Sequence, residues 1–376
     1  MIIATRSITI GIFAFLLAAP VRAAAPAAYH VTLYPAIKMP QHATAIVHGQ
    51  IVGDGPGLVA DSPFTARPVV WTSPDKQEYP PLPKSRMRNF QVTAADGHSF
   101  VSTANDTIGG PRDAFLAIWS DFHQPPQMIT LPHYSLLRPY DICGRQIVGY
   151  AKPTSTASDR PPIQAFVYTG STFITLDPPA KPPAIIICGV RTTDGTHQYG
   201  FIIPPGGKEH PTMWNSSPDR PVDFLPRGKT AGIILHARGS YKVGVVDHHA
   251  ALWTGGPSTY RDLNPPGSKA SIANATDGTV VIGAVGLPPP ASRVPARNAR
   301  NTLQADRPPE HARATAWING KAIDLHAFLP AQFTDSSALH IDAEGNILGE
   351  ASDGKTPTVV VWSPGPAGSA AAPVHP

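Results

Sequence analysis

Seven aromatic residues recur along the chain in one local setting. Each ends a short apolar run, and a turn of polar, glycine or proline residues follows it. They are Trp71, Trp119, Tyr168, Trp214, Trp253, Trp317 and Trp362. Five of the six spacings between them lie between 39 and 49 residues, and the remaining one is 64. A period of this length predicts a repeat architecture rather than separate domains.

Two further features recur in register with these aromatics. A glycine-bounded apolar segment precedes them, as in Gly144–Gly149 (GRQIVG) and Gly278–Gly283 (GTVVIG), and a leucine follows them, as at Leu176 and Leu263. Asp-Gly and Glu-Gly pairs open several of the glycine segments, and they favour tight hairpins because glycine accepts a positive φ. Each repeat therefore predicts four short antiparallel strands.

Four-stranded units at this spacing are typical of propeller blades. The chain contains 44 prolines and 32 glycines, which suits many turns between short strands. The seventh repeat stops soon after Trp362 without a fourth strand, and residues 30–35 resemble the missing one. We predict an all-β, seven-bladed β-propeller that this N-terminal strand closes, because closure removes exposed strand edges. An open stack of β-meanders or a large sandwich is the alternative.

The ends of the chain and one long spacing suggest segments outside the blades. Residues 1–23 have the charge, apolar run and small-residue cleavage site of a secretory signal peptide, with an uncleaved anchor as the alternative. A single propeller domain is expected over 24–363, with a Pro/Arg-rich insertion at 284–313 and a disordered tail at 364–376. We expect an exported protein, periplasmic or extracellular, with no membrane span.

Charge and cysteine content limit the partners and the redox chemistry. A formal net charge of +4 over 376 residues gives no strong footprint for nucleic acid. The two cysteines, Cys143 and Cys188, would meet an oxidising compartment after export. They could form a disulfide between neighbouring repeats or remain two buried thiols, because the sequence does not place their Cβ atoms.

The glycine segment, the apolar run and the following leucine together resemble the repeat of bacterial extracellular HAF-repeat proteins. The nearest copies are Gly144–Gly149 with Gln164–Tyr168 (QAFVY), and His249–Trp253 (HAALW). The resemblance spans roughly residues 30 to 363. It implies an exported β-propeller of unassigned activity, and it supplies no catalytic residues.

Candidate site residues come from two sets of positions. The repeated aromatics could form a stacking platform for sugars or peptides, but equivalent positions on every blade favour packing between blades. The first strand of a blade normally lines the central channel, where a metal or small ligand could bind. The polar residues expected there are Asp141, His236, Asn274, His340 and Asp342.

No motif in the sequence specifies a catalytic or metal site. No Gly-x-Ser-x-Gly, His-Glu-x-x-His, phosphate-binding or calcium-binding loop occurs. We therefore expect a non-catalytic binding module that takes a protein, peptide or polysaccharide ligand, acts as a monomer, and uses no cofactor or metal. The alternatives are a hydrolase or lyase acting on a glycan or small substrate at the channel, and a metal-dependent protein.

Overall fold

The computed structural model describes eleven stretches of the chain: residues 28–35, 37, 42–56, 66–83, 89–105, 114–154, 164–176, 187–205, 207–287, 310–355 and 357–365. The predicted signal peptide at 1–23 and almost all of the predicted tail lie outside these residues. Within them the predicted fold class is confirmed, because the strands form seven four-stranded antiparallel sheets.

Blades 1 to 3 each run from an inner to an outer strand in chain order. Blade 1 contains β2 (His42–Val47), β3 (Gln50–Pro56), β4 (Ala66–Ser73) and β5 (Lys76–Glu78). Blade 2 contains β6 (Asn89–Ala95), β7 (Phe100–Asn105), β8 (Ala114–Trp119) and β9 (Gln127–Leu131). Blade 3 contains β10 (Tyr134–Cys143), β11 (Gln146–Pro153), β12 (Gln164–Tyr168) and β13 (Phe173–Thr175).

Blades 4 to 6 repeat the same order. Blade 4 contains β14 (Ile187–Thr193), β15 (Gln198–Ile203), β16 (His210–Trp214) and β17 (Val222–Asp223). Blade 5 contains β18 (Gly232–Arg238), β19 (Tyr241–Val246), β20 (His249–Trp253) and β21 (Tyr260–Asp262), with a 3-10 turn at Pro257–Thr259. Blade 6 contains β22 (Ala270–Thr276), β23 (Val280–Leu287), β24 (Glu310–Ile318) and β25 (Lys321–Asp324), followed by a 3-10 turn at Leu325–Phe328.

Blade 7 combines the two ends of the described chain. It contains β26 (Asp335–Ile341), β27 (Ile347–Ser352), β28 (Pro357–Pro364) and the N-terminal β1 (Tyr29–Tyr34). β1 pairs antiparallel with β28, with Val31 opposite Trp362. The predicted closure by residues 30–35 is confirmed with a shift of one residue. The first strands of successive blades contact one another, and contact between β26 and β2 completes the ring.

The repeated aromatics lie between the blades. Trp214 of blade 4 packs on Val148 and Val167 of blade 3, and Trp362 of blade 7 packs on Ile282 of blade 6. Trp71, Trp119, Tyr168, Trp253 and Trp317 likewise pack against the blade that precedes them. A large ring at this position fills the wedge that opens where two twisted sheets meet.

All seven first strands carry a β-bulge at the same place, and the bulge explains the closing glycine of the repeat. In six blades the residue opposite the start of the bulge is a glycine: Gly53, Gly149, Gly200, Gly244, Gly283 or Gly349. A Cβ at any of them would overlap a backbone carbonyl of the first strand. Blade 2 departs from the rule with Ser102, whose buried hydroxyl has no partner among the described residues.

The strands of blade 6 extend into both ends of the predicted insertion. β23 continues to Leu287 and β24 begins at Glu310, and both Ala284 and Ala312 are buried. Residues 288–309, the centre of the predicted insertion at 284–313, lie outside the described residues. In the described part of the chain, no helix has the length and apolar character needed to cross a membrane.

Cys143 and Cys188 do not form a disulfide. Cys143 ends β10, whereas Cys188 lies near the start of β14, the parallel first strand of the next blade. The far end of β14 reaches the level of Cys143, because Thr193 bonds to Asp141 there. Five strand residues at about 3.3 Å each therefore put the thiols about 16 Å apart along the channel, beyond the reach of a disulfide.

Candidate functional site

The bulges place one residue of each first strand at an equivalent position around the channel, which we call the post-bulge position. Its seven occupants are Ala45, Ala94, Asp141, Thr192, His236, Ala275 and His340. Alanine occupies it in blades 1, 2 and 6, and a polar residue occupies it in blades 3, 4, 5 and 7. The site is therefore polar on one part of the ring and apolar on the rest.

Each polar side chain at a post-bulge position accepts a backbone N–H from the next blade. The four bonds are Thr193 N to Asp141 Oδ2 (3.1 Å), Ala237 N to Thr192 Oγ1 (3.0 Å), Thr276 N to His236 Nδ1 (3.2 Å) and Ile46 N to His340 Nδ1 (3.4 Å). The donor is in every case the residue after the post-bulge position of its own strand. These bonds satisfy amides on the channel edge and join neighbouring blades.

Asp141 is the centre of the most extensive of these networks. Both of its carboxylate oxygens accept from the Arg238 guanidinium at 3.0 Å, and Thr192 Oγ1 donates to Oδ2 at 2.6 Å. Arg238 also donates to the carbonyls of Thr193 and Ile142. Burial alone would raise the pKa of Asp141, but the charge and hydrogen bonds of Arg238 outweigh it and hold this pKa below its usual value. The pair is therefore ionised and joins blade 3 to blade 5.

His236 and His340 face each other across the small Ala275, with ring centroids 6.2 Å apart in an edge-to-face arrangement. Burial, reinforced by the charge of Arg238, lowers the pKa of His236 to about 3 and that of His340 to about 4. Both rings are therefore neutral at neutral pH. Because an N–H donates to Nδ1 of each, the ring protons lie on Nε2. Nε2 of His236 is buried and has no partner among the described residues.

The other two predicted residues also hold blades together. Asn274 occupies the bulge of β22 and donates to the Ala338 carbonyl of blade 7 at 2.7 Å. Asp342 follows β26 and accepts from the Gly49 amide of blade 1 at 2.8 Å, and it orders its own turn through Asn346. All five predicted residues therefore lie on an inner strand or directly after one, but each forms bonds between blades.

Arg238, the one cation of this cluster, was not among the residues predicted from the sequence. Arg238 lies two residues after the post-bulge position, just before the turn to the second strand. Four other blades carry aspartate there: Asp96, Asp194, Asp277 and Asp342. An arginine at a position where four other blades carry aspartate is the feature of the sequence that could have identified Arg238.

A cavity of about 280 Å³ lies at the channel mouth, where the first strands end. His236, His340 and Asp342 line it together with Asp96 and Asp277, and its apolar wall includes Ile46, Ala95 and Ile341. Cys143 also reaches it, and burial raises the pKa of that thiol. The described residues contain no group of three or more His, Cys, Asp or Glu side chains that could hold a metal ion.

These features define a seven-bladed β-propeller whose channel residues interlock its blades. No protein-family model matches the chain, and no curated protein matches it. Solved structures do. A prolyl endopeptidase structure is similar at 9% identity and a TM-score of 0.55, over 91% of this chain and 49% of that one.

A puromycin hydrolase is similar at 12% identity and a TM-score of 0.51, over 91% of this chain and 55% of that one. An acylaminoacyl peptidase from Pyrococcus horikoshii is similar at 12% identity and a TM-score of 0.46, over 83% of this chain and 50% of that one. The chain spans about half the length of each of these proteins. At such identities the likeness to the prolyl endopeptidase and the puromycin hydrolase shows the propeller fold alone.

Proposed function

We propose that this chain is an exported, non-catalytic binding propeller of the HAF-repeat type. The observation that carries the proposal is the use made of the polar channel residues. Asp141, Thr192, His236 and His340 each accept a backbone N–H from the next blade, so each of these side chains joins two blades.

The protonation states at the channel mouth support a non-catalytic role. A general base works best with a pKa near the working pH, and a cysteine nucleophile needs a lowered pKa. The pKa of His236 lies at about 3, which makes this ring a weak base. The pKa of Cys143 is raised, which disfavours the reactive thiolate. Arg238 is bonded to Asp141 and to backbone carbonyls, which removes it as a free anion binder.

Two equivalent His–Asp pairs in blades 4 and 5 support a structural role for the histidine of the repeat motif. His210 Nδ1 lies 2.8 Å from Asp223 Oδ2, and His249 Nδ1 lies 2.8 Å from Asp262 Oδ2. Each histidine starts a third strand, four residues before the tryptophan, and each aspartate lies on the fourth strand. The histidine of the repeat motif thus has a structural partner, which fits a scaffold residue.

Thermal unfolding of the purified protein in the presence of oligosaccharides, polyanions and peptides tests the proposal. A ligand that binds only the folded state stabilises it by about 2.7 kcal/mol at a hundredfold excess over its Kd. We expect one class to raise the melting temperature and to be recovered unchanged, as followed by NMR. Conversion of a stabilising ligand, abolished by His236→Ala, would contradict a non-catalytic role. Cell fractionation of the full-length chain tests export separately.

A further inference from the structure

A second cavity, away from the channel, has the chemistry of a binding site. It is a groove of about 410 Å³ between blades 2 and 3, which we call the blade 2–3 groove. We propose that it binds an acidic sugar residue of a glycan. This inference rests on the proposed function, and it names the place and the ligand class.

The floor of the blade 2–3 groove is apolar. Ile118 and Ile129 of blade 2 meet Ile147 of blade 3 there, and the first two are partly exposed. A sugar ring presents C–H groups on its faces, and burying them on such a floor removes apolar surface from water. The floor therefore suits the face of a ring, whereas a free inorganic anion gains nothing from it.

The walls of the blade 2–3 groove are rich in hydrogen-bond donors. Hydroxyl, amide and guanidinium groups come from Ser99, Ser120, Gln127, Arg145, Thr169 and Ser171. Ser120, Gln127, Arg145 and Ser171 are exposed, so a ligand can reach them. Hydroxyls and a guanidinium match the oxygens of a sugar and of its carboxylate.

The position of Arg145 depends on a neighbouring turn of the same blade. Gly170 has φ +89°, and a Cβ built on it would lie 3.6 Å from Cβ of Arg145, so the side-chain stem crosses closely over this turn. The Gly170 carbonyl accepts from Tyr168 at 2.7 Å, which fixes the turn to the end of β12. The arginine is thus supported along its stem while its charged end remains exposed.

Charge distinguishes this groove from the channel mouth and from the groove between blades 1 and 2. The residues that line it include one cation and no carboxylate. The channel mouth is lined by Asp96, Asp277 and Asp342, whose charges would repel an anionic ligand. Arg238 also lines it, but its charge is paired with Asp141. The groove between blades 1 and 2, of about 490 Å³, contains a Lys76–Glu78 ion pair at 2.9 Å, so its cation is already neutralised.

Isothermal titration of the full chain tests the inference, with oligogalacturonate as the acidic probe. A neutral oligosaccharide of equal length and inorganic phosphate serve as the two comparison ligands. We expect binding of oligogalacturonate alone, weakened at least tenfold by Arg145→Met and weakened by added salt. Lys76→Met in the groove between blades 1 and 2 is the matched control and should leave binding unchanged. Thermal unfolding verifies that both variants fold. We expect them to fold because Lys76 and Arg145 are exposed.

Each other outcome overturns a defined part of the inference. If Arg145→Met binds oligogalacturonate as tightly as the parent protein does, the blade 2–3 groove is not the binding site. If the neutral oligosaccharide binds as tightly as oligogalacturonate, the ligand class is not acidic. Inorganic phosphate binding as tightly as the sugar would show an anion site without sugar recognition. If no uronate binds while a peptide stabilises the protein, this inference fails but the proposed binding function stands.

Discussion

Two blade junctions solve the same problem with a buried aspartate and reach opposite electrostatic results. At the junction of blades 3 and 4, Asp141 accepts the Thr193 amide at 3.1 Å. At the junction of blades 1 and 2, Asp54 on β3 accepts the Val92 amide at 2.6 Å. Each residue is only 4% exposed. The pKa of Asp141 lies below its usual value, whereas burial raises that of Asp54 to about 7.

The difference lies in what else reaches the carboxylate. Asp141 meets a guanidinium and a hydroxyl, so its charge is compensated by two donors in addition to backbone amides. No cation contributes to the pKa of Asp54, and the Val92 amide offsets its burial only in part. The ring thus tolerates two kinds of junction, one closed by an ion pair and one by a carboxyl group that is readily protonated.

Removing the cation at the ion-pair junction should have the largest effect. Arg238→Met leaves Asp141 buried without its partner, and breaking a buried pair in this way costs about 3–5 kcal/mol. We expect chemical denaturation to show this loss in the free energy of unfolding. Arg145→Met, an exposed arginine on the rim, is the control and should cost well under 1 kcal/mol. Equal losses for the two variants would mean that Arg238 does not support the ring.

Changing pH should separate the two aspartates. The pKa of Asp54 is about 7 in the folded protein and about 3.9 in an unfolded chain. Since the unfolded chain ionises first, this group destabilises the fold progressively as pH rises from about 4, and the penalty is complete above pH 7. The penalty increases by about 2–3 kcal/mol between pH 5 and pH 8.

Asp54→Asn keeps an acceptor for the Val92 amide but carries no charge. We expect the variant to lose this part of the pH dependence and to exceed the parent protein in stability at pH 8. The exposed Asp75→Asn should retain the parent slope when unfolding is followed over the same pH range. A parent-like slope in Asp54→Asn would show that the carboxyl group does not titrate in the folded state near pH 7.

The second strands of blades 2 and 3 differ at the position opposite the bulge, where blade 3 has Gly149 and blade 2 has Ser102. Gly149→Ala in blade 3 would push a Cβ into the carbonyl of Arg138, and the strand must shift, at a cost of about 1–3 kcal/mol. Ser102→Gly in blade 2 removes a buried hydroxyl that lacks a partner, so we expect a change of less than 1 kcal/mol in either direction. Denaturant midpoints compare the two. A neutral Gly149→Ala would show that the bulge does not need its glycine.

The sequence predicted the part of the fold that depends on repetition. Seven aromatics at regular spacing reveal seven packing wedges, and a seventh repeat without its last strand reveals how the ring closes. The β-bulges of the first strands cannot be predicted from the repeat in this way. A bulge inserts one residue into the two-residue alternation, so the face that Asp141 or His236 takes cannot be read from its position in the strand.

The ion pair was hidden for a related reason. Arg238 and Asp141 are 97 residues apart and lie two blades apart on the ring. Repeats predict which positions are equivalent, but they do not predict which members of an equivalent set will touch across the channel. For the same reason the repeats could not show whether Cys143 and Cys188 form a disulfide. The two cysteines belong to adjacent blades but lie at opposite ends of their strands.

The tryptophans of the two junctions give the smallest and most specific comparison. The Trp119 indole N–H donates to the Pro81 carbonyl of blade 1 at 3.2 Å, whereas the buried indole N–H of Trp214 has no partner among the described residues. Replacement by phenylalanine removes similar volume at both positions. Trp119→Phe also leaves a carbonyl without its donor, while Trp214→Phe removes an unsatisfied donor. We expect Trp119→Phe to be more destabilising by about 1 kcal/mol in denaturant unfolding.

The same comparison can be made at the tryptophans of two further blades, where the local packing differs. Trp317 donates to the Leu263 carbonyl at 2.9 Å, and the buried indole N–H of Trp253 lacks a partner among the described residues. Trp317→Phe should therefore group with Trp119→Phe, and Trp253→Phe with Trp214→Phe. If the four losses are instead equal, the indole hydrogen bond contributes nothing measurable, and the repeated aromatic acts through packing alone.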